Sequence, residues 1–206
     1  MNQIIRPMKA FSQTSAWRLW IDRCGGFGLL VGDRFTVGGS RPDGTANVQV
    51  RSDWRRFEGA LVRREGDYFW SASDDAPSDS DARLLQSSDI VPIDGSATLR
   101  LNKPSPLSGS AILTLDPPHR FDHHVDQMLL VDQTVLIGPS SGDHIRCTAI
   151  DVSAVLVIRD GGWQAKLKSN DDQTRISRAK PKSQFIDLVP GRRISLGELD
   201  MMLEEI

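Results

Sequence analysis

Arginine is the residue type whose spacing in this sequence most suggests chemistry. Arg51, Arg55, Arg56, Arg63 and Arg64 crowd into one short segment, opposed only by Asp53 and Glu58, and Arg41 lies in the turn segment before it. A guanidinium fork matches the oxygens of a phosphate or carboxylate bidentately. The chemistry on offer is therefore anion recognition, with Arg41, Arg55 and Arg56 as candidate ligands. The plainer reading is a solvated strand face carrying ordinary surface charge. The segment 71–82 holds Asp74, Asp75, Asp79 and Asp81 without a base, so it would repel a phosphate or pair internally with Arg55 and Arg56. A later segment has the opposite sign, with Arg175, Arg178, Lys180 and Lys182, and reads as a flexible, solvated loop.

Histidine offers a second chemistry. The run PPHRFDHH holds His119, Asp122, His123 and His124, and His144 lies further on. Imidazole and carboxylate can bind zinc, which would permit a metal-dependent enzyme built on the His119–His124 cluster. Adjacent His123 and His124 on a strand would point to opposite faces, however, and surface or turn histidines are the expectation, with no metal and no cofactor. Cys24 and Cys147 are the only cysteines, and a lone pair so far apart suggests reduced thiols in a cytoplasmic protein. GSRPDG lacks the Gly-Lys-Ser/Thr ending of a phosphate loop, and no Gly-x-Ser-x-Gly elbow occurs. The tryptophans read as core or rim residues. Trp54 stands apart because it heads the arginine segment.

The elements that must position these groups are short strands. The 206 residues are 39% hydrophobic and 25% charged, enough for a packed core. A net charge of -2 excludes a generally basic nucleic-acid binder. The longest apolar runs, 27–31 and 154–158, are too short to cross a bilayer. The opening MNQIIRPMKAFSQTSAW has no uninterrupted apolar stretch of the kind a signal peptide uses, so export by one is not expected. Glycine and proline punctuate the apolar stretches at intervals of about ten residues. Strands are read at 17–21, 34–37, 48–50, 59–63, 68–70, 90–93 and 98–101, then at 111–115, 128–131, 135–137, 155–158, 163–167, 185–188 and 194–196. Trp17, Leu19 and Ile21 alternate with Trp20 and Asp22 across one such strand. Only the stretch 199–206 fits either a short helix or a strand.

An internal repeat organises the strands. Leu29, Leu30, Val31, Phe35, Val37 and Gly38 align with Leu129, Leu130, Val131, Val135, Ile137 and Gly138 at an offset of 100. Leu61, Val62, Arg64, Gly66 and Tyr68 align with Leu156, Val157, Arg159, Gly161 and Trp163 at an offset of 95. Ser88, Val91 and Ile93 align with Gly191, Ile194 and Leu196 at an offset of 103. The stretch NKPSPLSGS reads as the boundary between the copies.

Each copy resembles a forkhead-associated (FHA) domain. The first reads FTVGG, then WRRFEGALVRREGDYFW, then SSDIVPIDG; the second reads VLIGP, DHIRC, AVLVIRDGGW and VPGRRISLG. The resemblance implies an all-β chain of two consecutive FHA-like β-sandwich domains whose loops gather at one end. It places an N-terminal extension at 1–15, a first domain at 16–102, a linker at 103–108 and a divergent second domain at 109–206. It also implies a protein partner, carrying phosphothreonine in the family's usual case, with no nucleic acid, membrane or catalysis involved. In the first copy, Gly39 stands where the family's Gly-Arg motif has Arg. Arg55 replaces the Ser of the next motif, Arg56 retains its Arg, and Glu58 replaces its bracing His. In the second copy, Pro139 occupies the Arg position and the Ser-Arg-x-His motif is absent. The family's bacterial members include proteins in which a divergent second copy follows the first. The expectation here is an interaction module with weakened or lost phosphothreonine recognition.

Overall fold

The computed structural model describes residues 14–72, 82–159, 161–168 and 184–206. Those residues form an all-β protein; no helix occurs among them, and so none is long and apolar enough to cross a membrane. In the first half the strands are β1 (Ser15–Ile21), β2 (Gly25–Val31), β3 (Arg34–Gly39), β4 (Val48–Val50), β5 (Gly59–Arg64), β6 (Asp67–Ser71), β7 (Arg83–Leu85) and β8 (Leu99–Asn102). In the second half they are β9 (Ala111–Leu115), β10 (Gln127–Val131), β11 (Thr134–Gly138), β12 (Ile145–Arg146), β13 (Ala154–Arg159), β14 (Gly162–Leu167), β15 (Ile186–Leu188), β16 (Arg193–Leu196) and β17 (Leu199–Glu205).

Period-two alternation builds these elements. In β1, Leu19 and Ile21 are buried while Arg18 and Trp20 remain partly exposed; in β17, Leu199, Met201 and Leu203 are buried between Asp200, Met202 and Glu204. The stretch that fitted helix or strand is thus a strand. Turn chemistry closes the hairpins. Arg64 pairs with Asp67, leaving Glu65 and Gly66 as a two-residue loop with φ of 51° and 85°. Two positive φ values suit the right-handed twist of the flanking strands.

Three sheets result. Two five-stranded sheets share one pattern, β4-β3-β5-β6-β7 from the first copy and β12-β11-β13-β14-β15 from the second. The third is seven-stranded, in the order β16-β17-β1-β2-β10-β9-β8, and draws on both copies. At its centre β2 and β10 run parallel, with Leu29 opposite Leu129 and Leu30 opposite Leu130. The first hairpin, β1–β2, pairs with β17 of the second copy, while the hairpin β9–β10 of the second copy pairs with β8 of the first.

Packing follows the same exchange. Leu19, Ile21, Phe27, Leu29 and Val31 bury their side chains in one core with Val135, Ile137, Leu156, Trp163 and Leu203 of the second copy. Ala111, Leu113, Met128 and Leu130 bury theirs in the other core with Phe35, Val37, Leu61, Tyr68 and Trp70 of the first. The seven-stranded sheet is therefore a shared middle layer with one five-stranded sheet on each face. The Tyr68 hydroxyl reinforces the junction, lying 2.8 Å from the Gly109 carbonyl and 3.2 Å from that of Leu130.

Several elements differ from the sequence reading. Residues 25–31, 83–85 and 145–146 are strands that were not anticipated, and 90–93 is not a strand. Only Ile90 makes an isolated bridge there, to Arg100. Pro92 offers no N–H, and Ile93 turns its own back to the Val91 carbonyl at 2.8 Å, which ends the ladder. The segment 103–108 is irregular and turn-rich, with Leu107 98% exposed.

Candidate functional site

Two loops carry the candidate arginines: 40–47 between β3 and β4, and 51–58 between β4 and β5. Glycine sets how they meet. A Cβ on Gly38 or Gly39 would collide with the backbone carbonyls of Arg56 and Trp54 respectively. The second loop therefore lies directly on the end of β3, where Gly39 N–H donates to the Arg55 carbonyl at 2.7 Å and Glu58 N–H to the Val37 carbonyl at 2.9 Å. This packing explains why no arginine stands at 39: its side chain would displace the loop. Trp54 is fully buried beneath the loop, in the core with Phe35, Leu61 and Tyr68.

Each candidate arginine is already engaged. Arg41 Nη2 donates to the Trp54 carbonyl at 3.2 Å, fixing one loop to the other. Arg55 Nη2 donates to Glu58 Oε2 at 2.9 Å, and its backbone N–H donates to Glu58 Oε1 at 2.6 Å. The Glu58 side chain is buried while that of Arg55 is 81% exposed. Glu58 thus braces the loop from within as a carboxylate acceptor, a role the sequence reading did not give it. Arg56 Nη1 donates to Asp43 Oδ2 at 3.0 Å, and its Nη2 to the Asp43 carbonyl at 2.6 Å. Asp74, Asp75, Asp79 and Asp81, considered as partners for Arg55 and Arg56, lie outside the described residues, as do Arg175, Arg178, Lys180 and Lys182.

The three guanidinium groups do not converge. Arg41 lines a cleft of about 570 Å³ with Ser40, Pro42, Arg51, Ser52 and Asp122. Arg56 lines a separate one of about 340 Å³ with Thr36, Thr45, Ala46 and Phe57. Arg55 lines neither. The larger cleft has a counter-ion within it. Asp122 Oδ1 accepts from Arg51 Nη2 at 2.8 Å and Oδ2 from Ser40 Oγ at 2.8 Å. The Arg51 hydrogen bond is the main cause holding the Asp122 carboxyl below the ordinary carboxylate range. Asp122 comes from the second copy, whose segment 120–122 docks along β4 through Arg51 N–H to the Arg120 carbonyl and Asp122 N–H to the Gln49 carbonyl, each 2.9 Å.

The histidines disperse. His119 Nε2 is 3.1 Å from Ser96 Oγ, and the same hydroxyl donates to Asp53 Oδ1 at 2.7 Å. Hydrogen bonds from Ser96, the backbone N–H first, hold Asp53 low. The serine hydroxyl thus directs its proton to the Asp53 carboxylate and not to the His119 imidazole. His123 and His124 sit in a turn at φ of 61° and 56°, as the expectation of turn histidines had it. The His123 carbonyl accepts from Arg18 Nη1 at 3.1 Å. His144 is buried, and its Nδ1 accepts the Leu136 N–H at 3.0 Å. In the first copy Asn47 Oδ1 accepts the Thr36 N–H at 2.9 Å, so the two side chains do the same structural work. Burial is the main cause holding the His144 imidazole below its ordinary value. Among the described residues no group of three or more His, Cys, Asp or Glu could hold a metal ion.

The matching loop of the second copy carries no comparable cluster of arginines. Ser140 N–H donates to the buried Asp143 at 2.9 Å, and Lys168 Nζ lies 3.8 Å from the same carboxylate. Cys24, in the turn after β1, and Cys147, just past β12, are both free thiols. No family model, curated protein or solved structure matches the chain.

Proposed function

We propose that the chain is a non-enzymatic protein–protein interaction module built from two FHA-like repeats, with phosphothreonine recognition weakened or lost. The observation that supports this reading is the engagement of Arg41, Arg55 and Arg56 by groups of the chain itself. A phosphate entering here must displace a carbonyl from Arg41 and carboxylates from Arg55 and Arg56. The arginine and serine hydroxyl of an intact motif are replaced by Gly39 and Arg55. Charge-assisted hydrogen bonds contribute about 1.5–3 kcal/mol each. Losing two weakens binding by roughly two to four powers of ten. What the loops retain is a shaped, polar rim at one end of the first repeat, suited to a protein surface. Two reduced thiols fit a cytoplasmic setting.

The test is calorimetric titration of the full chain with an optimised phosphothreonine peptide and its unphosphorylated form. Equal, weak binding of the two supports a partner recognised by shape. Micromolar binding that requires the phosphate and disappears in Arg56→Ala overturns it. Asp43→Asn provides a second arm. It releases Arg56 from its counter-ion and is expected to introduce phosphate preference where the wild type has little.

A further inference from the structure

We infer that Cys24 and Cys147 are a reversible dithiol–disulfide pair, a modification site that links the exchanged first hairpin to the second repeat. The sequence separates them by more than half the chain, and the hairpin exchange brings them together. Cys24 sits in the turn joining β1 to β2, where its N–H donates to the Ile21 carbonyl at 3.1 Å. Cys147 follows β12 and is anchored by its own N–H to the Gly138 carbonyl at 2.8 Å. The Cys24 Sγ lies 4.0 Å from the Arg146 carbonyl oxygen, the peptide group that leads into Cys147. Cys147 lies in the core shared by the hairpin and the second five-stranded sheet, and Cys24 packs against that same core. A disulfide needs Cα atoms within about 7 Å and sulfurs facing each other. Two backbone-anchored cysteines packed against one core, with the sulfur of one 4.0 Å from the peptide oxygen that precedes the other, are placed to reach that arrangement.

Accessibility assigns the order of events. Cys24 is half-buried and Cys147 fully buried, so a peroxide reaches Cys24 first. The Cys24 thiolate attacks one peroxide oxygen, breaking the O–O bond to leave a sulfenic acid and hydroxide. The Cys147 sulfur, losing its proton, then attacks the Cys24 sulfur and expels the second hydroxide, forming the S–S bond. In sum, two thiols and one hydrogen peroxide give one disulfide and two waters. The pair is built to react slowly at neutral pH. Burial first, then contact with Cys147 and the nearby Asp126 carboxylate, pushes the Cys24 thiol up to about 12. The thiolate that attacks is accordingly scarce until the solution is alkaline.

The experiment uses the full-length chain, incubated with hydrogen peroxide at mildly alkaline pH until free glutathione in the same tube is fully oxidised. It is then denatured, treated with N-ethylmaleimide and weighed intact. The expected product is a monomer lighter by two hydrogens that takes up no maleimide. A non-reduced digest should yield one cross-linked peptide pair holding Cys24 and Cys147, and dithiothreitol should restore both thiols. In Cys147→Ser, which cannot close the bond, dimedone should trap Cys24 as its sulfenic acid. Maleimide on both cysteines of the treated wild type overturns the inference. So does a product consisting only of sulfinic acid at Cys24 or of disulfide-linked dimers. Cys24→Ser keeps a packing failure distinguishable. If its thermal melt matches the reduced wild type, loss of the cross-link in that variant reports the bond and not the fold.

Discussion

Cutting the chain between Pro104 and Ser105 is a direct probe of the hairpin exchange. The fragment before the cut carries β1–β8 and the fragment after it β9–β17. Leu19, Ile21, Phe27, Leu29 and Val31, each no more than 4% exposed, pack mainly against residues that the first fragment lacks. Burial of such a side chain contributes about 1.5–3 kcal/mol, so the five together represent roughly 8–15 kcal/mol. That equals the whole net stability of an ordinary domain, about 5–15 kcal/mol. The second fragment loses the packing of Leu113, Met128 and Leu130 on the other core, roughly 5–9 kcal/mol by the same measure. Neither fragment should fold alone, and the two mixed should restore the native state. Amide NMR dispersion, a urea transition followed by circular dichroism, and gel filtration check this together. A monomeric first fragment with dispersed resonances and a cooperative transition would refute the reasoning. It would mean that β1–β2 can close over its own five-stranded sheet once the second repeat is removed.

Three further outcomes are expected. Glu58→Ala strips the acceptor from the Arg55 backbone N–H and should cost about 1–3 kcal/mol in urea unfolding; a change within about 0.5 kcal/mol would show that water replaces the carboxylate. Arg63, whose side chain is 8% exposed, joins Asp33 at 2.9 Å to Asp132 at 3.3 Å across the two repeats. Arg63→Met should destabilise by about 1–3 kcal/mol, less than a fully buried pair because both carboxylates reach solvent, and adding Asp33→Asn and Asp132→Asn should recover part of it. His144 is held below its ordinary value of 6.5, so its neutral form stabilises the fold at pH above that value and the contribution is lost as pH falls. Unfolding free energy should decline below pH 6.5 with a slope of up to about 1.4 kcal/mol per pH unit. His144→Asn, which can still accept the Leu136 N–H, should flatten this slope; an unchanged profile would assign it elsewhere.

Alternation made most strands legible, as in β1, where the apolar face predicted from Trp17, Leu19 and Ile21 is the face that packs into a core. The strand β2 escaped because Gly25, Gly26 and Gly28 read as a loop. In the fold their bare faces make room for neighbours: a Cβ at Gly26 would strike the Trp20 ring and one at Gly28 the Met128 side chain. The repeat was legible because both copies keep the same strand hydrophobics. The exchange was not, because period two specifies which face is buried and says nothing about which sheet buries it. At the loops, the proximity of Arg41 to the arginine segment was legible only through the family resemblance, which implies loops gathered at one end; the Arg41 bond to the Trp54 carbonyl joins the two. The pairing of Arg56 with Asp43 and the inward brace of Glu58 were not legible, since both depend on how the loop rests on Gly38 and Gly39.

The pairing of β1 with β17, which sets Trp17 opposite Glu205, also fixes a sequence of events in time. A ribosome adds about 5–20 residues per second. The first hairpin is complete when Val31 has been added, but its strand neighbour, Leu199–Glu205, is made only much later. For roughly 10–35 s at those rates, the outer edge of β1 has no native strand to pair with. During synthesis the nascent hairpin is thus a natural substrate for chaperones that hold exposed strands. Closure of the core that the hairpin packs into waits for β17, however early its first residues appear.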